Sequence, residues 1–314
     1  MRYLTYSELL KTKYGERVYK LPVNLPGTCP NRDGNVGCGG CIYCGEAGAA
    51  FENLPSDMPV AQQIATNMEY IGKKYKAQKF IAYFQNYSNT YMPIEQFKEY
   101  VKSAIVENVV EIAVSTRPDC INDDYLDFLK SVKDEHNIEI SIELGLQTVN
   151  YHTLKTLNRG HSLAEFIDAV LRIKKYGFSV CTHIILNLPW DNRDDVIECA
   201  KILSALKVDQ VKIHCLYILK DTPLADMYTN GEFDMGTYYD YVANVIAFLE
   251  YLHPDIAIQR IIGRAREEDC LFANYSTSWW KIKDNIDEQM ELFDTYQGKR
   301  CDYLNGKALK KFKN

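Results

Sequence analysis

Apolar, β-branched runs alternate with amphipathic stretches along most of the 314 residues. The apolar runs fall at 17–23, 79–84, 110–115, 138–144, 179–186, 211–218 and 256–262, and several are apolar at nearly every position. Runs of this kind suit parallel strands covered on both faces. Between them, apolar residues recur at helical spacing over 60–75, 94–106, 123–133, 164–176, 193–205 and 238–251. Asn122 is placed to cap the third of these helices, and Gly177 follows the fourth. Six or so successive βα units predict a full or partial (β/α) barrel, with an open doubly wound sheet as the alternative. Either architecture places a site at the C-terminal strand ends, where the chain's unusual residues fall.

Composition narrows the setting without changing the fold. Hydrophobic residues make up 46% and charged residues 25%, so a continuous core needs no disulfide staples. The N-terminus lacks an apolar signal core, and no uncharged run reaches the ~18 residues of a membrane span. A cytoplasmic protein without membrane contact is expected. Its ten cysteines then sit under reducing conditions, where close spacing means metal or redox chemistry. The net charge of −6 excludes a generally basic nucleic-acid binder. It hides a basic C-terminus, 299–314, which carries +5 and leaves the remainder at −11. That tail reads either as a solvated, frayed end or as a local phosphate contact.

The strongest chemical signal follows the first strand. Cys29, Cys38, Cys41 and Cys44 lie on one glycine-rich loop. Thiolates are soft ligands for zinc or iron–sulfur centres. All four would close a tetrahedral zinc site. Three would hold a [4Fe–4S] cluster with one iron open to a ligand. The loop's place at a barrel strand end, Tyr43 before the last cysteine and the lack of a second cysteine pair favour the cluster. The other cysteines, Cys120, Cys181, Cys199, Cys215, Cys270 and Cys301, are scattered and read as small buried hydrophobes.

With its Cys-Pro-Asn-Arg-Asp-Gly start and Gly-Gly-Cys-Ile-Tyr-Cys end, this loop resembles that of the radical S-adenosylmethionine (radical SAM) superfamily. More narrowly it is similar to the YhcC/YtqA-type group of the Elongator-catalytic-subunit-like branch. The resemblance runs from about Tyr14 to Gln297. It also rests on Phe84-Gln85-Asn86-Tyr87-Ser88-Asn89-Thr90-Tyr91, Ser115-Thr116-Arg117-Pro118-Asp119, Glu143-Leu144-Gly145-Leu146-Gln147-Thr148, Asn158-Arg159-Gly160-His161, Thr182-His183-Ile184 and Lys212-Ile213-His214. It implies an α/β fold, a partial (β/α)6 TIM-like barrel with short N-terminal and C-terminal extensions. The corresponding divisions are 1–25 for the N-terminal extension and first strand, 26–250 for the core barrel and 251–314 for the C-terminal extension.

The group's Cys-x11-Cys-x2-Cys pattern implies Cys29, Cys41 and Cys44 as cluster ligands and makes Cys38 the extra thiol. The implied cofactors are the [4Fe–4S] cluster and S-adenosylmethionine (SAM), which is cleaved reductively to a 5′-deoxyadenosyl radical. Arg159 would take the cofactor's carboxylate, with Gln147 beside it, because a guanidinium is planar, always charged and bidentate. His183 is implied as a ribose or methionine contact, and Gln85 and Asn86 as amine-binding groups. Asn187-Leu188-Pro189-Trp190 departs from the usual Gly-Leu-Pro-Gly, where glycine permits close approach to adenine. Thr116, Arg117, Asp119 and Glu143 end two strands, and Arg117–Glu143 is either an ion pair or part of the site. Tyr83, Tyr87 and Tyr91 are candidates to line the cavity.

Relatives in this branch imply tRNA as substrate, at the wobble uridine, converting a carboxymethylaminomethyl to an aminomethyl side chain on 2-thiouridine. The tail and Arg260, Arg264 and Arg266 would contact phosphates. An electron donor such as flavodoxin or ferredoxin is the second implied partner. Two alternatives stand beside this reading: a radical SAM enzyme on a small molecule or peptide, and a zinc-stabilised, non-catalytic RNA-binding protein. No catalytic residue is assigned.

Overall fold

The computed structural model describes residues 1–45, 53–263 and 266–312. Seven parallel strands form one curled sheet: β1 (Val18–Val23), β2 (Lys79–Phe84), β3 (Val109–Thr116), β4 (Glu139–Gln147), β5 (Ser179–Ile185), β6 (Gln210–His214) and β8 (Ala257–Arg260). Their spatial order follows the chain, as right-handed βα units dictate. The partial barrel expected from the sequence is the architecture found, with β8 as a seventh strand beyond the six βα units. β1 and β8 are its two edges, so the barrel stays open along one seam.

Helices cover the outer face: α2 (Val60–Tyr75), α3 (Ile94–Ser103), α4 (Asp123–His136), α6 (Leu163–Lys175), α7 (Arg193–Ala205) and α9 (Tyr238–Tyr251). Local chemistry fixes their starts. Asn122 accepts from Tyr125 N, and Ser162 with Glu165 and Asn192 with Asp195 form reciprocal caps. Four helices were not marked by sequence periodicity: α1 (Tyr6–Tyr14), α5 (Tyr151–Thr156), α8 (Pro223–Thr229) and α10 (Trp279–Leu292). The N-terminal segment caps the β8 edge, where Ile258 N donates to Leu4 O at 2.8 Å. Gln297 holds that segment in turn, accepting from Leu4 N at 2.9 Å.

The run at 211–218 breaks in two. β6 stops at His214 because the Leu216 amide leaves the ladder and donates to Asn187 Oδ1 at 2.6 Å. The chain re-forms as β7 (Ile218–Leu219), antiparallel to β9 (Cys270–Phe272).

The apolar core lies between strands and helices. On β4, Ile140, Ile142, Leu144 and Leu146 belong to it. The alternate residues Ser141, Glu143, Gly145 and Gln147 therefore turn into the barrel, since strand side chains alternate between faces. The barrel interior is polar.

Candidate cofactor-binding site

A cavity of about 620 Å³ opens at the C-terminal mouth of the barrel. Cys29, Cys41 and Cys44 all line it, together with Gln85, Gln147, Arg159 and His183. Cys38 is exposed and does not line it. Its segment folds back in a bridge to Asp33. The loop is fastened to the α5–α6 connection, with Ile42 N donating to Leu157 O at 3.1 Å and Asn158 Nδ2 to Gly40 O at 2.8 Å.

Each of these three thiols faces its own arginine. Arg117 Nη1 lies 3.9 Å from Cys29 Sγ, Arg159 Nη1 3.5 Å from Cys41 Sγ, and Arg32 Nη2 3.2 Å from Cys44 Sγ. The three guanidiniums come from separate segments, so the one-to-one match is not a local accident of the loop. Such donors stabilise thiolate charge and suit a negatively charged cluster. Burial pushes the Cys44 thiol up, and Arg32 works against that rise.

Arg159 is buried. Its Nη2 donates to Gly145 O at 2.8 Å, and its Nε has no partner. Among the described residues it forms no ion pair. A buried guanidinium without a counter-ion is costly unless an anion joins it, so the residues present fit a cluster and a cofactor carboxylate. The backbone is shaped to admit the pair. Gln147 holds φ +75°, and a Cβ on Gly145 would stand 2.6 Å from Arg159 Nη2 and 3.0 Å from Gln147 Nε2.

Asn86 is not among the cavity residues. It is buried, and its amide donates to Asn24 Oδ1 at 2.6 Å. Tyr87 lines the cavity, whereas Tyr83 lies deeper in the barrel. The Arg117–Glu143 ion pair is absent. Arg117 instead pairs with Asp119 at 2.6 Å, because both stand on the same strand-end turn. Asn187 does not leave the open backbone that glycine would give. It accepts from Leu216 N and donates to Cys215 Sγ at 3.2 Å, tying the ends of β5 and β6.

Beneath the cavity, Glu143 collects the interior polar groups. It accepts from Lys20, from Lys212 and His183 at 2.8 Å, and from Gln259 at 3.1 Å. Burial disfavours its charge, yet Lys20, Lys212 and His183 hold it well below the usual carboxylate range. Burial lowers His183 to about 4 and Lys212 to about 8. Glu143, Cys181 and His183 also bring donor atoms within 4.8 Å of one another. Two ammonium groups on that carboxylate oppose a metal cation there. The strand-end charges are visible in the sequence, whereas Lys20 and Gln259 are marked there only by their alternation with apolar neighbours.

The basic tail is partly neutralised within the fold. Arg300 pairs with Glu250 at 2.9 Å, and Lys307 and Lys310 with Asp302 at 3.0 and 3.5 Å. Arg266 pairs with Glu268 and Asp269. Arg264 and Lys313 lie outside the described residues. Cys181, Cys199 and Cys215 are buried as expected, while Cys120, Cys270 and Cys301 are half-buried. No helix among the described residues is long and apolar enough to cross a membrane.

Three thiols with matched arginines at the mouth of an open parallel barrel define a cluster-and-cofactor class of protein. The Radical SAM superfamily family model matches residues 24–203, and the Radical_SAM C-terminal domain matches 208–292. YtqA of Bacillus subtilis is 36% identical over 302 residues, 95% of this chain and 92% of that protein. YhcC of Escherichia coli is 31% identical over 282 residues, 90% of each chain. A tRNA uridine(34) acetyltransferase of Methanocaldococcus infernus is 26% identical over 127 residues, 40% of this chain and 23% of that one. In fold, the chain is similar to Methanocaldococcus infernus Elp3, with TM-score 0.68 at 16% identity. That likeness covers 89% of this chain and 64% of the Elp3 chain. The chain belongs to the radical SAM superfamily and, within it, to the YhcC/YtqA-type group. It is therefore an enzyme whose cofactors are a [4Fe–4S] cluster and SAM. The zinc-stabilised, non-catalytic alternative is set aside.

Proposed function

We propose that this enzyme acts on the wobble uridine of tRNA and converts a carboxymethylaminomethyl to an aminomethyl side chain on 2-thiouridine. The class of enzyme follows from the family. The choice of tRNA is supported by the partial match to tRNA uridine(34) acetyltransferases and by the Elp3-like fold.

In this reading Cys29, Cys41 and Cys44 hold the cluster, and Cys38 is not a ligand. The carrying observation is the match of one arginine to each of those three thiols. When bound, the cluster and SAM supply a 5′-deoxyadenosyl radical for hydrogen abstraction, given electrons from a donor such as flavodoxin or ferredoxin. The chain supplies binding, orientation and exclusion of water. Arg159 would receive the methionine carboxylate. Gln147 and Gln85 would orient the cofactor from the cavity wall. His183, neutral near pH 7, would contact its ribose or methionine part.

The test compares tRNA nucleosides from cells with the gene, without it, and with Cys29→Ala in its place. Accumulation of carboxymethylaminomethyl-2-thiouridine in both deficient strains is expected. Identical nucleoside profiles in all three would refute the tRNA assignment and leave the enzyme class untouched.

A further inference from the structure

Two cavities meet at the end of β8. The cofactor cavity and a second one of about 1040 Å³, at the open seam between β1 and β8, share Arg260, Ile262 and Trp279 in their walls. The seam cavity is strongly cationic, lined by Lys11, Arg17, Lys20, Lys212, Arg260 and Lys283 against one acid, Glu16. Most of these charges are matched. Lys20 and Lys212 hold Glu143, Lys283 pairs with Asp287 at 2.6 Å, and Glu16 pairs with Lys79 at 2.8 Å. Among the described residues, Lys11, Arg17 and Arg260 have no carboxylate within ion-pair distance. Only Arg260 of these three also borders the cofactor cavity.

Arg260 is held from behind by a run of polar contacts that ends on the ionised Glu143. Glu143 is ionised and accepts only, so His183 Nε2 carries a proton and donates to it at 2.8 Å. His183 Nδ1 is then an acceptor, 3.3 Å from His214 Nε2. Arg260 Nη2 lies 2.9 Å from His214 Nδ1 and 3.3 Å from its Nε2, against the neutral ring. The two rings stack with centroids 5.2 Å apart. Burial and the neighbouring cations keep both imidazoles neutral. These contacts engage Nη2 of the guanidinium and keep the positive charge on Arg260.

We propose that Arg260 is the receptor for a carboxylate of the substrate, at the point where the seam opens into the cofactor cavity. The proposal rests on the wobble-uridine reading, since the side chain to be shortened ends in a carboxylate. The planar fork offers parallel donors to the two oxygens of a carboxylate, and a backbone phosphate held there instead would let RNAs bind alike whatever their wobble side chain. A neutral histidine behind it adds no second charge. Arg260 is a specificity-determining residue here, and His214, His183 and Glu143 position it.

The test uses fluorescent anticodon stem–loop RNAs that differ only at the wobble base: carboxymethylaminomethyl-2-thiouridine, aminomethyl-2-thiouridine or 2-thiouridine. Binding to the cluster-loaded protein, without reductant, is read by anisotropy. Wild type is expected to prefer the carboxylate-bearing loop over the aminomethyl loop by about 10- to 150-fold, the range for charge-assisted hydrogen bonds. Arg260→Gln, checked by iron content and melting temperature, should bring the loops to similar affinity. Equal affinities in wild type, or a preference that survives in Arg260→Gln, would overturn the proposal and leave the tRNA reading standing. No binding of any loop by wild type would remove both.

Discussion

Replacing Glu143 with Gln tests how the polar interior of this barrel is held together. The carboxylate is 1% exposed and sits against two ammonium groups, a histidine and an amide. Glutamine keeps the shape and one acceptor oxygen but removes the charge that offsets Lys20 and Lys212. Breaking a buried ion pair by removing one partner costs about 3–5 kcal/mol, because the remaining charge stays buried. Lys20, at the open seam, is the more exposed of the two and can turn toward water. Lys212 is buried and cannot, so most of the cost falls there. Chemical denaturation should show a loss near that range at pH 7. Adding Lys212→Met should recover part of it.

The pH dependence has a definite sign. Lys212 is lowered from 10.5 to about 8 by burial, so between these values the unfolded chain binds more protons than the native one. Stability contributed by this residue therefore rises with pH across that window. Without Glu143 the window widens downward, and the deficit of Glu143→Gln should shrink from pH 7 to pH 9. A loss below about 1 kcal/mol at pH 7, far under the cost of an uncompensated buried charge, would refute the ion-cluster account. So would a deficit that grows with pH.

Other outcomes follow from the same geometry. Arg159→Ala should weaken SAM binding by about 10- to 150-fold with iron content intact; calorimetry showing unchanged affinity would reassign Arg159. Gly145→Ala places a methyl 2.6 Å from Arg159 Nη2 and should also weaken SAM binding, so normal affinity would contradict the close approach described. Burial raises the Asp191 carboxyl from 3.8 to about 6, so the native state binds more protons in that window and loses stability as pH rises through it. Asp191→Asn should flatten that slope and stabilise the protein at pH 7 by up to about 3 kcal/mol; a steeper slope in urea melts would count against it.

What the sequence disclosed depended on which face of a strand carried the signal. The outward faces, such as Ile140, Ile142, Leu144 and Leu146, gave the strands away. The inward faces contain Glu143, His183, Lys212 and Gln259, whose meaning lies in partners up to 239 positions apart, as in Lys20 with Gln259. Spacing cannot reveal such pairings. Arg117 shows the limit clearly: both Asp119 and Glu143 were available by type, and turn geometry decided for the nearer acid. Asn86 likewise belonged to the right strand end but turns to Asn24. Of the helices without a clear periodic signal, α5 and α8 are short, α1 starts from a Thr5–Glu8 capping box that periodicity does not register, and α10 has no side-chain cap at its start. The cysteine loop was legible because its chemistry is local.

The most direct test of the central claim is the iron content and visible absorbance of four single variants, Cys29→Ala, Cys38→Ala, Cys41→Ala and Cys44→Ala, each reconstituted anaerobically beside wild type. The account predicts a brown, iron-loaded Cys38→Ala protein that still binds SAM, and loss of the cluster in the other three. Loss of the cluster in Cys38→Ala with retention in Cys29→Ala, Cys41→Ala or Cys44→Ala would contradict it.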